Sequence, residues 1–121
     1  MHELSIAHSI LSIAERSFPP GTEGFISAVN IRVGELSSIE TEALLFAFSA
    51  IKGGTVLERA ELQIDMIKGE AVCSDCGTVF HMNAFGIPCP ACGSYLASIQ
   101  QGKELKVLSL TVEESDTVAR N

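Results

Sequence analysis

Four cysteines fall in two pairs, Cys73-Ser74-Asp75-Cys76-Gly77 and Cys89-Pro90-Ala91-Cys92-Gly93, giving the pattern C-x2-C-x12-C-x2-C. Two residues between thiolates let a tight turn aim both sulfurs at one ion. Glycine after the second cysteine suits the left-handed backbone such a turn needs. Two turns face to face supply four thiolates in a closed tetrahedron, the usual arrangement for structural zinc. Cys73, Cys76, Cys89 and Cys92 are therefore the expected metal ligands, and the ion's role is to fold a module too small for its own core. Disulfides and a redox CxxC are the competing uses of these thiols. Both are disfavoured in a chain expected in the cytoplasm, where thiols stay reduced.

Iron held by two such loops is a further alternative. Loops of that kind in rubredoxin stand far apart around an aromatic core, whereas this chain has no Trp and one Tyr. Zinc is the better fit. Many zinc ribbons bind nucleic acid, so an interaction module for nucleic-acid or transcription complexes is the alternative reading of function. Charge argues against it: from Gly69 to Gly102 there is no Lys or Arg, while Glu70 and Asp75 are present. Four thiolates around a divalent ion add a further net -2. Phe80, Phe85 and Tyr95 are accordingly expected to form a small core rather than a base-stacking platform. His81, next to neither cysteine pair, reads as a surface residue before a spare ligand.

The amino terminus is the second place where chemistry is available. A bulky second residue discourages removal of the initiator Met, so Met1-His2-Glu3 offers the α-amine, the His2 amide nitrogen and the His2 imidazole in one chelating run. A deprotonated amide favours square-planar Ni(II) or Cu(II) over tetrahedral zinc. Glu3 adds an oxygen or a nearby charge. Protons compete with metal for the amine and imidazole. A solvated terminus is the plainer reading of the same residues, and His8 reads as a boundary residue of a helix.

The elements that position these groups follow from periodicity. Leu4 to Phe18 places Leu4, Ile6, Ala7, Ile10, Leu11, Ile13, Ala14 and Phe18 on one side of a helix, which Pro19-Pro20-Gly21 stops. Phe25 to Glu35 alternates as a strand. Ser37-Ser38-Ile39-Glu40 fits a capping box for a second helix carrying Ile39, Ala43, Leu44, Phe46, Ala47, Phe48 and Ile51 and ending at Gly53-Gly54. A second strand is expected over Val56–Ile67, with Leu62, Ile64 and Met66 inward, and a third over Leu105–Val112. The polar tail from Glu113 is expected to fray. The fold class is thus α+β: two helices packed on a three-stranded sheet, with an inserted four-cysteine zinc-ribbon module. The expected domains are 1–68 plus 103–121, and 69–102.

The 121 residues carry 15 acidic and 8 basic side chains, a formal charge of -7, with 46% apolar and 19% charged residues. Disorder is excluded by that balance, and general affinity for phosphate backbones is disfavoured. No apolar run approaches about 18 residues, so no membrane span is expected, and Glu3 and Glu15 interrupt any signal-peptide pattern. A closed four-thiol site leaves no open coordination position. With no nucleophile–base arrangement supported by spacing, an enzyme is not expected.

Taken together, the Met-His-Glu start, Val33-Gly34-Glu35-Leu36-Ser37 before a second helix, the two cysteine pairs, Gly102 and the Leu105–Leu110 strand resemble the HypA/HybF family. The resemblance covers essentially the whole chain to about Val112. It implies a nickel metallochaperone for [NiFe]-hydrogenase maturation, with nickel at Met1, His2 and Glu3 and structural zinc on the four cysteines. It also implies partners: the accessory nickel GTPase HypB and the hydrogenase large subunit, with some members serving urease. Glu40 stands where some relatives use an Asp near nickel; its longer side chain departs from that pattern, so a nickel role is not carried over, and its capping-box role already explains it. Some relatives place a His beside a CxxC, which makes the zinc site acid-sensitive. This chain has Thr78 and Ser94 there, so that behaviour is not carried over.

Overall fold

The computed structural model describes residues 3–114, so Met1, His2 and the tail beyond Glu114 lie outside the described residues. Among those described, the order is α1 (Glu3–Ser17), β1 (Phe25–Gly34), α2 (Thr41–Ile51), β2 (Glu61–Ile67), β3 (Glu70–Cys73), β4 (Val79–His81), β5 (Ala97–Gln101) and β6 (Leu105–Glu113). The strands form two three-stranded sheets, β2-β1-β6 and β4-β3-β5. Both expected helices and the three expected strands are present. The second sheet, built from short strands around the cysteines, adds to the expected elements; three- to five-residue strands leave too little periodicity to read.

The chain divides into two compact units. One comprises residues up to Ile31, Ile39–Ile64 and the chain from Val107; the other comprises Arg32–Ser38 and Asp65–Lys106. In the first, α1 buries Ile6, Ala7, Ile10 and Ala14 and packs against α2. The amide of Phe18 bonds to the Ala14 carbonyl at 2.9 Å to close the last turn of α1 before the two prolines. Helix α2 buries Leu44, Ala47 and Phe48. Phe46, expected inside, is 76% exposed; two residues beyond Leu44 it points about 200° away.

Two other expectations fail locally. The second strand starts at Glu61, not Val56. Residues 55–60 are held in turns instead: the Thr55 hydroxyl donates to the Lys52 carbonyl at 2.6 Å and accepts from the Leu57 amide at 3.1 Å. Leu57 is fully buried from within this turn. A threonine that hydrogen-bonds its own neighbourhood overrides the β-branched preference for strand. In β2, Leu62 is buried as expected, but Met66 is 49% exposed, so the alternation does not hold to the end of the strand.

In the second unit, β3 pairs antiparallel with β4 through Glu70↔His81, Ala71↔Phe80 and Val72↔Val79, and with β5 on its other edge. Leu36, Ala71, Cys73, Phe80, Met82 and Cys89 form its core, with Ile87, Ala97 and Ile99 against them. Of the three aromatic residues expected in that core, Phe80 is there. Phe85 and Tyr95 are 59% and 71% exposed.

The segment between β1 and α2 is the part the sequence misled most. The Ser37 amide is spent in a turn, bonding to the Gly34 carbonyl at 3.0 Å, and Ser38 has a φ of 66°. A left-handed serine turns the chain away from the helical path. Helix α2 therefore begins only at Thr41, with Glu40 itself in the N-cap position and no side-chain cap. The Ser37 hydroxyl oxygen is buried without a hydrogen-bond partner. The expected capping box does not form.

Candidate metal centre

Each cysteine pair sits in the same kind of turn. After β3, the Cys73 amide bonds to the Thr78 carbonyl at 2.9 Å and the Gly77 amide to the Cys73 carbonyl at 2.9 Å. In the second loop the Cys89 amide bonds to the Ser94 carbonyl, and the Gly93 amide to the Cys89 carbonyl, each at 2.8 Å. Gly77 and Gly93 have φ of 77° and 79°. These are the left-handed positions expected of the glycines after each second cysteine, and any other residue would be strained there.

The two turns bring all four sulfurs within 4.8 Å of one another. Cys73 Sγ lies 3.5 Å from Cys92 Sγ, and Cys76 Sγ lies 3.6 Å from Cys89 Sγ. A tetrahedron of sulfurs at the zinc–thiolate bond length of about 2.3 Å has edges of about 3.8 Å. The donor set and its spacing fit zinc. Cys73 and Cys89 are buried and Cys76 and Cys92 face outward.

The thiols are not electrostatically equal. The Thr78 hydroxyl, 3.1 Å from Cys76 Sγ, together with the Thr78 amide, lowers the Cys76 thiol to about 6. At Cys92 the Ser94 amide pulls the same way, but hydrogen bonding to Cys73, burial and the other cysteines prevail and push it up to about 12. Crowded thiols cannot all ionise without a cation among them; a divalent ion supplies that charge.

His81 is absent from this cluster. Its Nε2 lies 2.7 Å from Oε1 of Glu35, and the same oxygen accepts the Gly69 amide at 2.8 Å. The Gly69 hydrogen bond and then that from His81 hold the Glu35 carboxyl below its ordinary value. Nothing in the sequence ties residue 35 to residue 81. The local hint lay in Val33-Gly34-Glu35-Leu36-Ser37, whose residues now have separate tasks. Gly34 lets the backbone pass against Gly102, Glu35 holds Gly69 and His81, and Leu36 fills the core of the zinc module. Three backbone bonds surround them: Gly34 amide to Glu104 carbonyl at 2.7 Å, Glu35 amide to Ile67 carbonyl at 2.8 Å, and Leu36 amide to Gly102 carbonyl at 2.6 Å.

Of the expected amino-terminal ligands, Met1 and His2 lie outside the described residues. Glu3 opens α1, where a carboxylate suits the helix dipole. Its Oε2 accepts the Glu40 amide at 3.0 Å, occupying the first orphan donor of α2. Glu40 is exposed, and the capping-box account of its carboxylate falls away with the capping box.

A small α+β chain whose one cluster of metal-ligating groups among the described residues is a closed four-thiol site defines a class: proteins with an inserted structural metal module. Comparison with known proteins narrows it. Residues 1–112 match the family described as HypA, hydrogenase/urease nickel incorporation, metallochaperone. The chain is 42% identical over 114 residues to hydrogenase maturation factor HypA of Parabacteroides distasonis, covering 94% of this chain and 99% of that one. It is 43% identical over 114 residues to the factor of the same name from Geobacter sulfurreducens, covering 93% and 100%. The solution structure of the nickel metallochaperone HypA from Helicobacter pylori superposes with a TM-score of 0.62 at 31% identity, covering 95% of this chain and all of that one. This chain belongs to the HypA family of nickel-incorporation metallochaperones, which are maturation factors and not enzymes. No helix among the described residues is long and apolar enough to cross a membrane.

Proposed function

We propose that this protein takes up Ni(II) at Met1, His2 and Glu3 and delivers it for maturation of [NiFe]-hydrogenase, while Cys73, Cys76, Cys89 and Cys92 keep a structural zinc throughout. The carrying observation is that the family match starts at residue 1 and so includes the Met-His-Glu run. The thiol cluster supports the division of labour: four thiolates saturate one tetrahedral ion, leaving no position from which cargo could be handed on. The amine and imidazole at the terminus are exchangeable with protons, which suits a site that must release its metal.

In this reading, residues 1–68 and 103–121 form the nickel-handling domain, with both helices on one face of the β2-β1-β6 sheet, and 69–102 form the zinc ribbon. Its partners in this reading are the GTPase HypB and the hydrogenase large subunit, with urease maturation proteins as further partners, in the cytoplasm.

Nickel titration of untagged protein tests the site. His2→Ala, and a variant with residues added before Met1, should each weaken binding, and affinity should fall as pH drops through about 6.5, the ordinary imidazole value. Unchanged affinity in both variants would sink the amino-terminal site.

A further inference from the structure

Beside the Glu35–His81 pair lies a cavity of about 210 Å³, lined by Glu35, Leu36, Ser38, Asn83, Ala84 and Phe85. Leu36 is buried, whereas Phe85 is exposed although it is one of the largest apolar side chains of the unit. Both hydrogen bonds received by Glu35 fall on Oε1, so Oε2 has no hydrogen-bond donor among the described residues. The rim carries Ser38, a non-glycine residue held at a φ of 66°. Strained backbone of that kind clusters at active sites, ligand clamps and switch regions. Between Gly69 and Gly102 the module carries no Lys or Arg, so His81 and Lys68 are the groups of positive character acting on this carboxylate.

We propose that this cavity receives an arginine side chain from a protein partner, the guanidinium meeting Glu35 Oε2 and the Phe85 ring while the methylenes lie over Leu36. A guanidinium suits the two unlike walls, donating charge-assisted hydrogen bonds in its plane and stacking its face on an aromatic ring. The formal charge of -7 on the whole chain supplies long-range attraction to a basic segment. The contact is independent of the amino-terminal nickel site.

The test uses the zinc-loaded full chain, titrated with acetyl-Gly-Arg-Gly-amide and, separately, with the same peptide carrying citrulline, followed by NMR. Saturable shifts should concentrate at residues 35–38 and 83–85 with the arginine peptide, and be much smaller with citrulline. Phe85→Ala, which leaves the module's core residues untouched, should weaken binding about threefold or more. Glu35→Gln should erase the preference for arginine. Equal response to citrulline would overturn the proposal, as would shifts spread over the acidic surface and indifferent to Phe85→Ala. It would also fall if the cavity residues shifted, without peptide, on dilution or on removal of residues 115–121. A second copy of the chain or its own Arg120 would then be the occupant.

Discussion

Gly69 stands where three stretches of backbone meet, and replacing it with alanine should be among the most damaging single-methyl additions in this chain. Its φ is unexceptional, so the cost is not conformational. A Cβ there would overlap the Met82 carbonyl oxygen and lie 2.9 Å from two carbons of Leu36. The leucine can rotate; the carbonyl cannot, because Met82 is tied back to the same residue by its amide on the Gly69 carbonyl at 2.8 Å. The chain must either hold the overlap or move apart. Overpacking of this kind costs about 1–3 kcal/mol. Separation loses the Met82 bond, at about 1 kcal/mol, together with the bond from the Gly69 amide to Glu35. Either route costs about 1–3 kcal/mol, a melting shift on the order of 5–10 °C.

The matched control is Gly53→Ala, where nothing lies within 4 Å of the added carbon and φ is not left-handed. It should stabilise by about 0.4–1 kcal/mol through the unfolded chain. The assay is urea unfolding of zinc-loaded protein followed by two signals. Tyr95, the only tyrosine in a chain without tryptophan, reports the zinc module, and far-ultraviolet circular dichroism reports the helices. The Tyr95 transition should move to lower urea in Gly69→Ala. A midpoint within about 0.5 kcal/mol of the parent would refute the claim that this crossing is closed to any side chain.

Other outcomes test other links. Cys73→Ser should lose zinc and the cooperative Tyr95 transition while most helical signal remains, read by metal analysis and circular dichroism. Ser37→Ala should be nearly neutral in melting experiments, because the hydroxyl has no partner; a capping box would have made it cost about 1 kcal/mol. Glu3→Ala should cost about 0.5–2 kcal/mol by removing the acceptor of the Glu40 amide, and Glu3→Gln less. Because the Glu35 carboxyl is held below its ordinary value of 4.5, its contribution is present above that value and lost as pH falls through the lower folded one. Acid titration of stability should therefore show a component that vanishes in Glu35→Gln, and identical profiles would remove Glu35 from the account.

What the sequence disclosed and what it hid divide along a physical line. The thiol site was legible because two residues between cysteines and a glycine after them prescribe a turn without reference to anything distant, and Gly77 and Gly93 adopt the backbone expected. The long helices and strands were legible because burial imposes a period. Short β3, β4 and β5 carry too few residues for a period. The capping box was a local pattern overruled by Ser38. Thr55 competes with a strand for the same backbone. Glu35–His81 and the Gly34–Gly102 approach join residues far apart in sequence, and only the folded crossing relates them.

The same contrast bears on how a carrier can hold two metals. The four sulfurs are presented by two turns whose amide hydrogen bonds and left-handed glycines fix the donors in place, as a closed structural site requires. Glu3 is differently employed: one of its carboxylate oxygens already serves the Glu40 amide at the start of α2. A nickel ion that drew this carboxylate away would leave that amide without its acceptor, and the lost bond would offset part of the coordination energy. A ligand with a second employer binds less tightly than one without. For a structural ion that would be a defect; under the proposed role of Glu3 it would favour release of the cargo.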